Sequence, residues 1–118
     1  MMESNKIKRG FIYLVDLNPT IGAEINKVRP AVVVSNNINN QYAETVTIVP
    51  ITSSKLDKVY PFEVFISKGI ANLDKDCKAK ANQIRTIDKK RIISEIGELP
   101  EDLTKKLDTA IKIHLELE

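Results

Sequence analysis

The strongest constraint on this chain is the length and spacing of its apolar runs. FIYLVDL (residues 11 to 17), AVVV (31 to 34), TVTIVPI (45 to 51) and FEVFI (62 to 66) are short, rich in β-branched or aromatic side chains, and bounded by turn formers. A further strand is expected within residues 79 to 87 (AKANQIRTI) and a sixth at 92 to 97 (IISEIG). Parallel strands need crossovers of a dozen or more residues, usually helical, and the segments between these runs leave no room for them. The pattern predicts a mainly β domain with appended helices (α+β), its antiparallel strands curled into a small barrel.

Helical signals are few. Ser35 can cap a turn through NNINNQY, and Asp88 can cap the short DKKR segment. The final helix is clearer: Pro100, Glu101 and Asp102 open it, and Leu103, Leu107, Ala110, Ile111 and His114 recur at helical spacing. That stripe faces a core or a partner, and His114 on it reads as a core or interface histidine rather than a catalytic one. IKIHLEL (111 to 117) also alternates like a strand, which leaves the end of the helix ambiguous.

A chain of 118 residues suits one domain over residues 1 to 118. No apolar run approaches the ~20 residues that cross a bilayer, and MMESNKIKRG lacks a signal-peptide stretch, so a soluble, cytoplasmic protein with no membrane association is expected. One cysteine, Cys77, and one histidine exclude an internal disulfide and a usual zinc set. No metal or other cofactor is expected.

The net charge of +2 conceals an uneven distribution. Residues 78 to 91 hold six cations (Lys78, Lys80, Arg85, Lys89, Lys90, Arg91) and one anion, whereas residues 94 to 118 hold seven anions and three cations. Such a basic segment reads either as a face for a polyanion or as ordinary solvated surface, and charge alone favours the second. The 14 lysines against four arginines are more telling, because each arginine becomes a candidate for a place that needs a planar fork of donors.

Two polar stretches interrupt the strands. NPTIGAEINKVRP (18 to 30) contains Gly22, Glu24 and Arg29, and Pro30 restricts Arg29 to extended conformations, which aims its guanidinium. In PITSS (50 to 54), Pro50 suits a strand edge or bulge, and the hydroxyls of Thr52 and Ser53 with nearby N–H groups could hold a phosphate or simply satisfy a turn.

Taken in order, KRGFIYLVDLNPTIGAEINKVRPAVVVSNN (8 to 37), TVTIVPITSS (45 to 54), YPFEVFI (60 to 66) and QIRTIDKKRI (83 to 92) closely resemble the MazF/PemK family of toxin endoribonucleases. The resemblance runs from about Lys8 to the final helix. It implies an SH3-like barrel, a symmetric homodimer, and metal-independent, sequence-specific cleavage of single-stranded RNA (mRNA), inhibited by a cognate antitoxin of a type II toxin–antitoxin system. Cleavage in this family proceeds by attack of the ribose 2′-hydroxyl, giving a 2′,3′-cyclic phosphate and a 5′-hydroxyl. A two-histidine acid–base mechanism is excluded here, since the chain has one histidine.

Arg29 and Thr52 match the family's catalytic Arg and Thr: the guanidinium would bind phosphate and stabilise the developing charge, and the hydroxyl would donate to a nonbridging oxygen. Glu24 matches the acidic residue of the family's G-S-E pattern, either as the group that positions or deprotonates the 2′-hydroxyl or as half of an ion pair with a loop cation. Ala23 stands where many members have Ser, and Ser53 is one group that could take over the missing hydroxyl. Gln83 and Arg85 would share one face of a strand and project toward RNA or a dimer partner, or Arg85 would pair with Asp88. Lys78, Lys80, Lys89 and Lys90 would attract the RNA backbone, and Tyr42 and Tyr60 are the freest aromatics for stacking. The competing readings are a gyrase-inhibiting toxin of similar barrel fold and a nucleic-acid binding module that has lost catalysis.

Overall fold

The structure, a computed structural model, describes residues 6 to 117. Seven strands and two α-helices follow one another: β1 (Phe11–Asp16), β2 (Val28–Val33), α1 (Asn37–Tyr42), β3 (Thr45–Thr52), β4 (Glu63–Ile66), β5 (Cys77–Lys80), β6 (Arg85–Asp88), β7 (Ile92–Glu98) and α2 (Glu101–Leu115). The strand pairs are antiparallel, in the order β4-β5-β3-β2-β1-β7, with β6 alongside β3. The sheet is a curled, rather open version of the expected barrel, with β4 and β7 at the two ends of the order.

The unbroken apolar runs of β2 and β3 have a physical reason: these strands are buried on both faces. Val32, Val49 and Ile51 enter one cluster with Leu103, Leu107 and Ala110 of α2, while Ala31, Val33, Val46 and Ile48 enter a second with Tyr13, Val15 and Leu17. Burying a side chain of this size is worth about 1.5–3 kcal/mol. The helix follows its periodicity through Leu115, past the strand-like alternation, with Glu101 and Asp102 in its first turn where the macrodipole favours anions. His114 is exposed rather than in the core of the chain, 6.5 Å between ring centroids from Phe62.

Three local expectations need correction. The strand expected within residues 79 to 87 is two strands, because a 3-10 turn (Ala81–Gln83) inserts between β5 and β6. Across it, β3 advances from Ile48, opposite Arg85, to Ile51, opposite Ala79, so the outer chain carries three extra residues. Pro50 sits at this gap, where the bulged partner asks no ladder donor of it. Gln83 therefore belongs to a turn and does not share a strand face with Arg85. Asn36, not Ser35, caps α1, its side chain accepting from Asn39 N–H, while Ser35 Oγ accepts from Thr47 N–H. Asp88 does cap the segment that follows it, accepting from Lys90 N–H at 2.8 Å.

No described helix is long and apolar enough to cross a membrane, and among the described residues no three His, Cys, Asp or Glu side chains gather as a metal site would require.

Candidate active site

Arg29 and Thr52 lie at neighbouring ends of two paired strands. The β2–β3 ladder closes with Ala31 opposite Pro50, and each of the two residues stands two positions beyond that last pair on its own strand. Arg29 is half-buried, and its Nε donates to Asn26 O at 2.8 Å, which lays the side chain back along the 18-to-30 loop. Its terminal nitrogens bond no acceptor among the described residues, leaving the forked face of the guanidinium for an anion. Thr52 is 9% exposed, and its Oγ1 accepts from Ser54 N–H at 3.1 Å. An oxygen engaged as an acceptor still has its own hydrogen to donate.

Arg29 and the exposed Ser53 line one cleft of about 200 Å³, together with Val28, Asp74, Lys75 and Cys77. Glu24 opens elsewhere, on a cleft of about 410 Å³ shared with Asn82, Gln83, Ile84 and Arg85. Glu24 is exposed and makes no ion pair with a loop cation; its Oε1 accepts from Ile21 N–H at 3.1 Å, a bond within its own loop. The structure thus joins Arg29 and Ser53 in one cleft, leaves Thr52 off its lining, and keeps Glu24 with Gln83 and Arg85 in another. Asp74 and Lys75 are members of the first cleft that the sequence does not single out, because no strand or motif connects them to Arg29.

The segment from Gln83 to Arg91 clasps the long loop. Gln83 Oε1 accepts from Ile25 N–H at 3.2 Å and its Nε2 donates to Ala23 O at 3.4 Å. Arg85 Nη1 donates to Leu17 O at 3.1 Å, and Arg91 Nη1 donates to Asp16 O at 3.1 Å and to Asn18 O. A loop of this length would otherwise carry unmet backbone groups. Arg85 does not pair with Asp88, whose carboxylate is occupied with Lys90 N–H.

Lys78 departs furthest from expectation. It is 3% exposed, so it is no surface charge for RNA. Its Nζ donates to Glu63 Oε1 at 3.0 Å, Lys55 O at 2.8 Å and Lys58 O at 2.9 Å, and Lys80 Nζ takes Glu63 Oε2 at 2.9 Å. Burial pushes the Glu63 carboxyl up, but the Tyr60 N–H and the Lys80 and Lys78 ammonium groups outweigh it and hold it below the ordinary carboxylate value. The available signal was the i, i+2 spacing of the two lysines, which puts them on one strand face opposite the single acid of FEVFI. Lys90 stays exposed, Lys89 half-buried and Tyr42 77% exposed, while Tyr60 stacks on Phe62 with Lys58 Nζ over its ring.

A comparison with protein-family models matches residues 8–115 to the PemK-like, MazF-like toxins of type II toxin–antitoxin systems. The chain belongs to this family. It is similar to the endoribonuclease MazF9 of Mycobacterium tuberculosis, 45% identical over 116 residues that span 94% of this chain and 98% of the relative. The toxin fold also matches the crystal structure of MazF from Deinococcus radiodurans, with a TM-score of 0.81 at 24% identity over 93% of this chain and 96% of that one. A mycobacterial endoribonuclease in complex with its cognate antitoxin superposes with a TM-score of 0.78, also at 24% identity, over 94% and 96% of the two chains.

Proposed function

We propose that the chain is a sequence-specific endoribonuclease, the toxin of a type II toxin–antitoxin pair, that cleaves single-stranded RNA without a metal ion. The observation that carries this reading is the open fork of the Arg29 guanidinium, which shares a cleft with Ser53 of the Thr52–Ser53 hydroxyl turn. The 45% identity to a protein named an endoribonuclease supports it.

In this reading the scissile phosphate lies at the Arg29 fork, with Thr52 and Ser53 donating to its oxygens. The 2′-oxygen attacks phosphorus as its proton is taken up by a base, Arg29 stabilises the phosphorane charge, and the bond to the 5′-oxygen breaks as that leaving oxygen takes a proton from solvent. A guanidinium stays protonated near neutrality, so its effect is electrostatic rather than that of a base. Glu24, on the same loop as Arg29 but opening on the neighbouring cleft with Gln83 and Arg85, is the candidate to position or deprotonate the 2′-hydroxyl when bound RNA draws that loop onto the phosphate. The products are a 2′,3′-cyclic phosphate and a 5′-hydroxyl. A homodimer completes the RNA groove, and a cognate antitoxin blocks it. A toxin that only docks on gyrase needs neither the open guanidinium fork nor the hydroxyl beside it.

The test is incubation of purified protein with a long single-stranded RNA in EDTA and mapping of the new 5′ ends. Discrete cuts bearing 5′-hydroxyls, lost in Arg29→Ala and Thr52→Ala, are expected; absence of cleavage, or activity that survives Arg29→Ala, overturns the reading. Each lost donor should lower the rate on the order of a hundredfold to a thousandfold. Glu24→Gln should depress turnover more than affinity.

A further inference from the structure

Lys78 stands opposite Thr52 in the β3–β5 register, and Glu63 stands opposite Lys80 in the β4–β5 register. Between Thr52 and Glu63 the chain leaves the sheet and returns, and Lys55 takes a left-handed backbone at φ 54° on the way. This excursion has no helix or strand of its own to hold it. Its polar backbone turns inward onto the buried pair: Lys55 O and Lys58 O accept from Lys78 Nζ, and Tyr60 N–H donates to Glu63 Oε1 at 3.0 Å. The side chains of Lys78 and Glu63 are 3% and 0% exposed. An ammonium has three donors, and here all three are taken, by two carbonyls and one carboxylate.

A buried pair of this kind contributes little net stability compared with well-packed apolar groups of the same volume. What it supplies is direction: three acceptors must converge on one nitrogen, so the loop has one arrangement. The loop begins at the Thr52–Ser53 hydroxyl turn, where Ser54 N–H is bonded to Thr52 Oγ1. We infer that Lys78 and Glu63 are positioning residues: a buried charge lock that fixes the β3–β4 loop and, through it, holds the Thr52 and Ser53 hydroxyls at the phosphate-binding end of the site. The catalytic part of this inference rests on the endoribonuclease reading above; the locking of the loop does not. A displacement of about 1 Å at a reacting group costs up to about a hundredfold in rate, so freeing this loop has a kinetic consequence even with every reacting group intact.

The test compares wild type with Lys78→Met, of similar volume, and with Glu63→Gln, whose amide oxygen still accepts from Tyr60 N–H and Lys78. Hydrogen exchange of the Ser54 and Tyr60 amides reads the loop, and single-turnover cleavage of a single-stranded RNA, corrected for the folded fraction, reads the site. Lys78→Met should deprotect both amides while β1 and β2 stay protected, and should lower the cleavage rate constant about ten- to a hundredfold with KM within about twofold. Glu63→Gln should recover most of the protection and rate. Unchanged amide protection in Lys78→Met overturns the lock, and deprotected amides with an unchanged rate constant overturn its positioning role. If wild type does not cleave RNA the endoribonuclease reading fails, and the exchange measurement still decides whether the lock exists. If Lys78→Met does not fold, Lys78→Gln decides, because its shorter amide cannot meet the Lys55, Lys58 and Glu63 acceptors together: deprotected Ser54 and Tyr60 amides with a lower rate constant in the folded fraction support the lock, whereas loss of stability with both unchanged overturns it.

Discussion

Gln83 grips the two peptide units that flank Glu24: its side-chain oxygen accepts from Ile25 N–H and its side-chain nitrogen donates to Ala23 O. A primary amide is the one neutral side-chain group that can offer a donor and an acceptor side by side in this way. The direction in which Glu24 leaves the loop is thereby set from a different part of the chain, 58 residues from Ile25.

Gln83→Ala should therefore disturb function more than folding. One of these hydrogen bonds is exposed and long at 3.4 Å and the other only part-buried, so together they contribute about 1 kcal/mol, the low end of the usual range, and urea midpoints should fall by about half a molar or less. RNA cleavage should fall about tenfold through loss of orientation at Glu24. A fall in stability with full activity per folded molecule would assign Gln83 a purely structural role.

The electrostatic footprint for RNA should be smaller than the sequence suggests. Each phosphate neutralised on a single strand contributes about 0.7 to the slope of log affinity against log salt. Lys90→Ala should flatten that slope by about this amount, because Lys90 is exposed. Lys78→Met should leave it unchanged, because the Lys78 charge is buried against Glu63. Filter binding of a non-cleavable single strand from low to high salt separates the two.

Acid should weaken the fold through Glu63. Its folded carboxyl lies below the ordinary value of 4.5, so its contribution is complete above that pH and is lost as the pH falls through the depressed folded value. Urea midpoints should drop below pH 4.5 in wild type, and Glu63→Gln should flatten this acid limb while lowering stability at neutral pH. An acid limb identical in the two proteins would place the titration elsewhere.

Gly97 is required by contact rather than by conformation. A Cβ there would lie 2.5 Å from Ala71 O and 2.8 Å from Ala71 C, backbone atoms held by the left-handed residues Ala71 and Asn72. Gly97→Ala should cost about 1–3 kcal/mol, the range for overpacking a filled site. Chemical denaturation measures it, and Gly22→Ala, with nothing within 4 Å of the new carbon but a φ of 56°, should act through backbone strain alone.

Strand and helix positions were legible where local chemistry repeats. The β-branched runs became β1, β3 and β4, and the Leu103, Leu107, Ala110 spacing became the buried face of α2. The break at Ala81–Gln83 was not legible, because AKANQIRTI carries no proline or glycine and the bulge is set by what β3 needs opposite Pro50. Arg29 and Thr52 were legible as candidate phosphate ligands from Pro30 and the hydroxyl turn, and as a catalytic pair only through family resemblance. That β2 and β3 end side by side, with Arg29 and Thr52 just past their last pair, is a product of sheet pairing, which no local pattern encodes.

The charge count shows the same division. The sequence by itself determined the strands, the final helix, and which residue types could meet a phosphate, since these follow from side-chain shape, periodicity and donor chemistry. Only the tertiary structure decided where the six cations of residues 78 to 91 point. Lys78 and Lys80 close on Glu63, Arg85 and Arg91 close on the carbonyls of Leu17, Asp16 and Asn18 where β1 runs into the long loop, Lys89 is half-buried, and Lys90 is left toward solvent. A charge is free or bound according to what lies across the sheet from it, and those neighbours arrive from elsewhere in the chain.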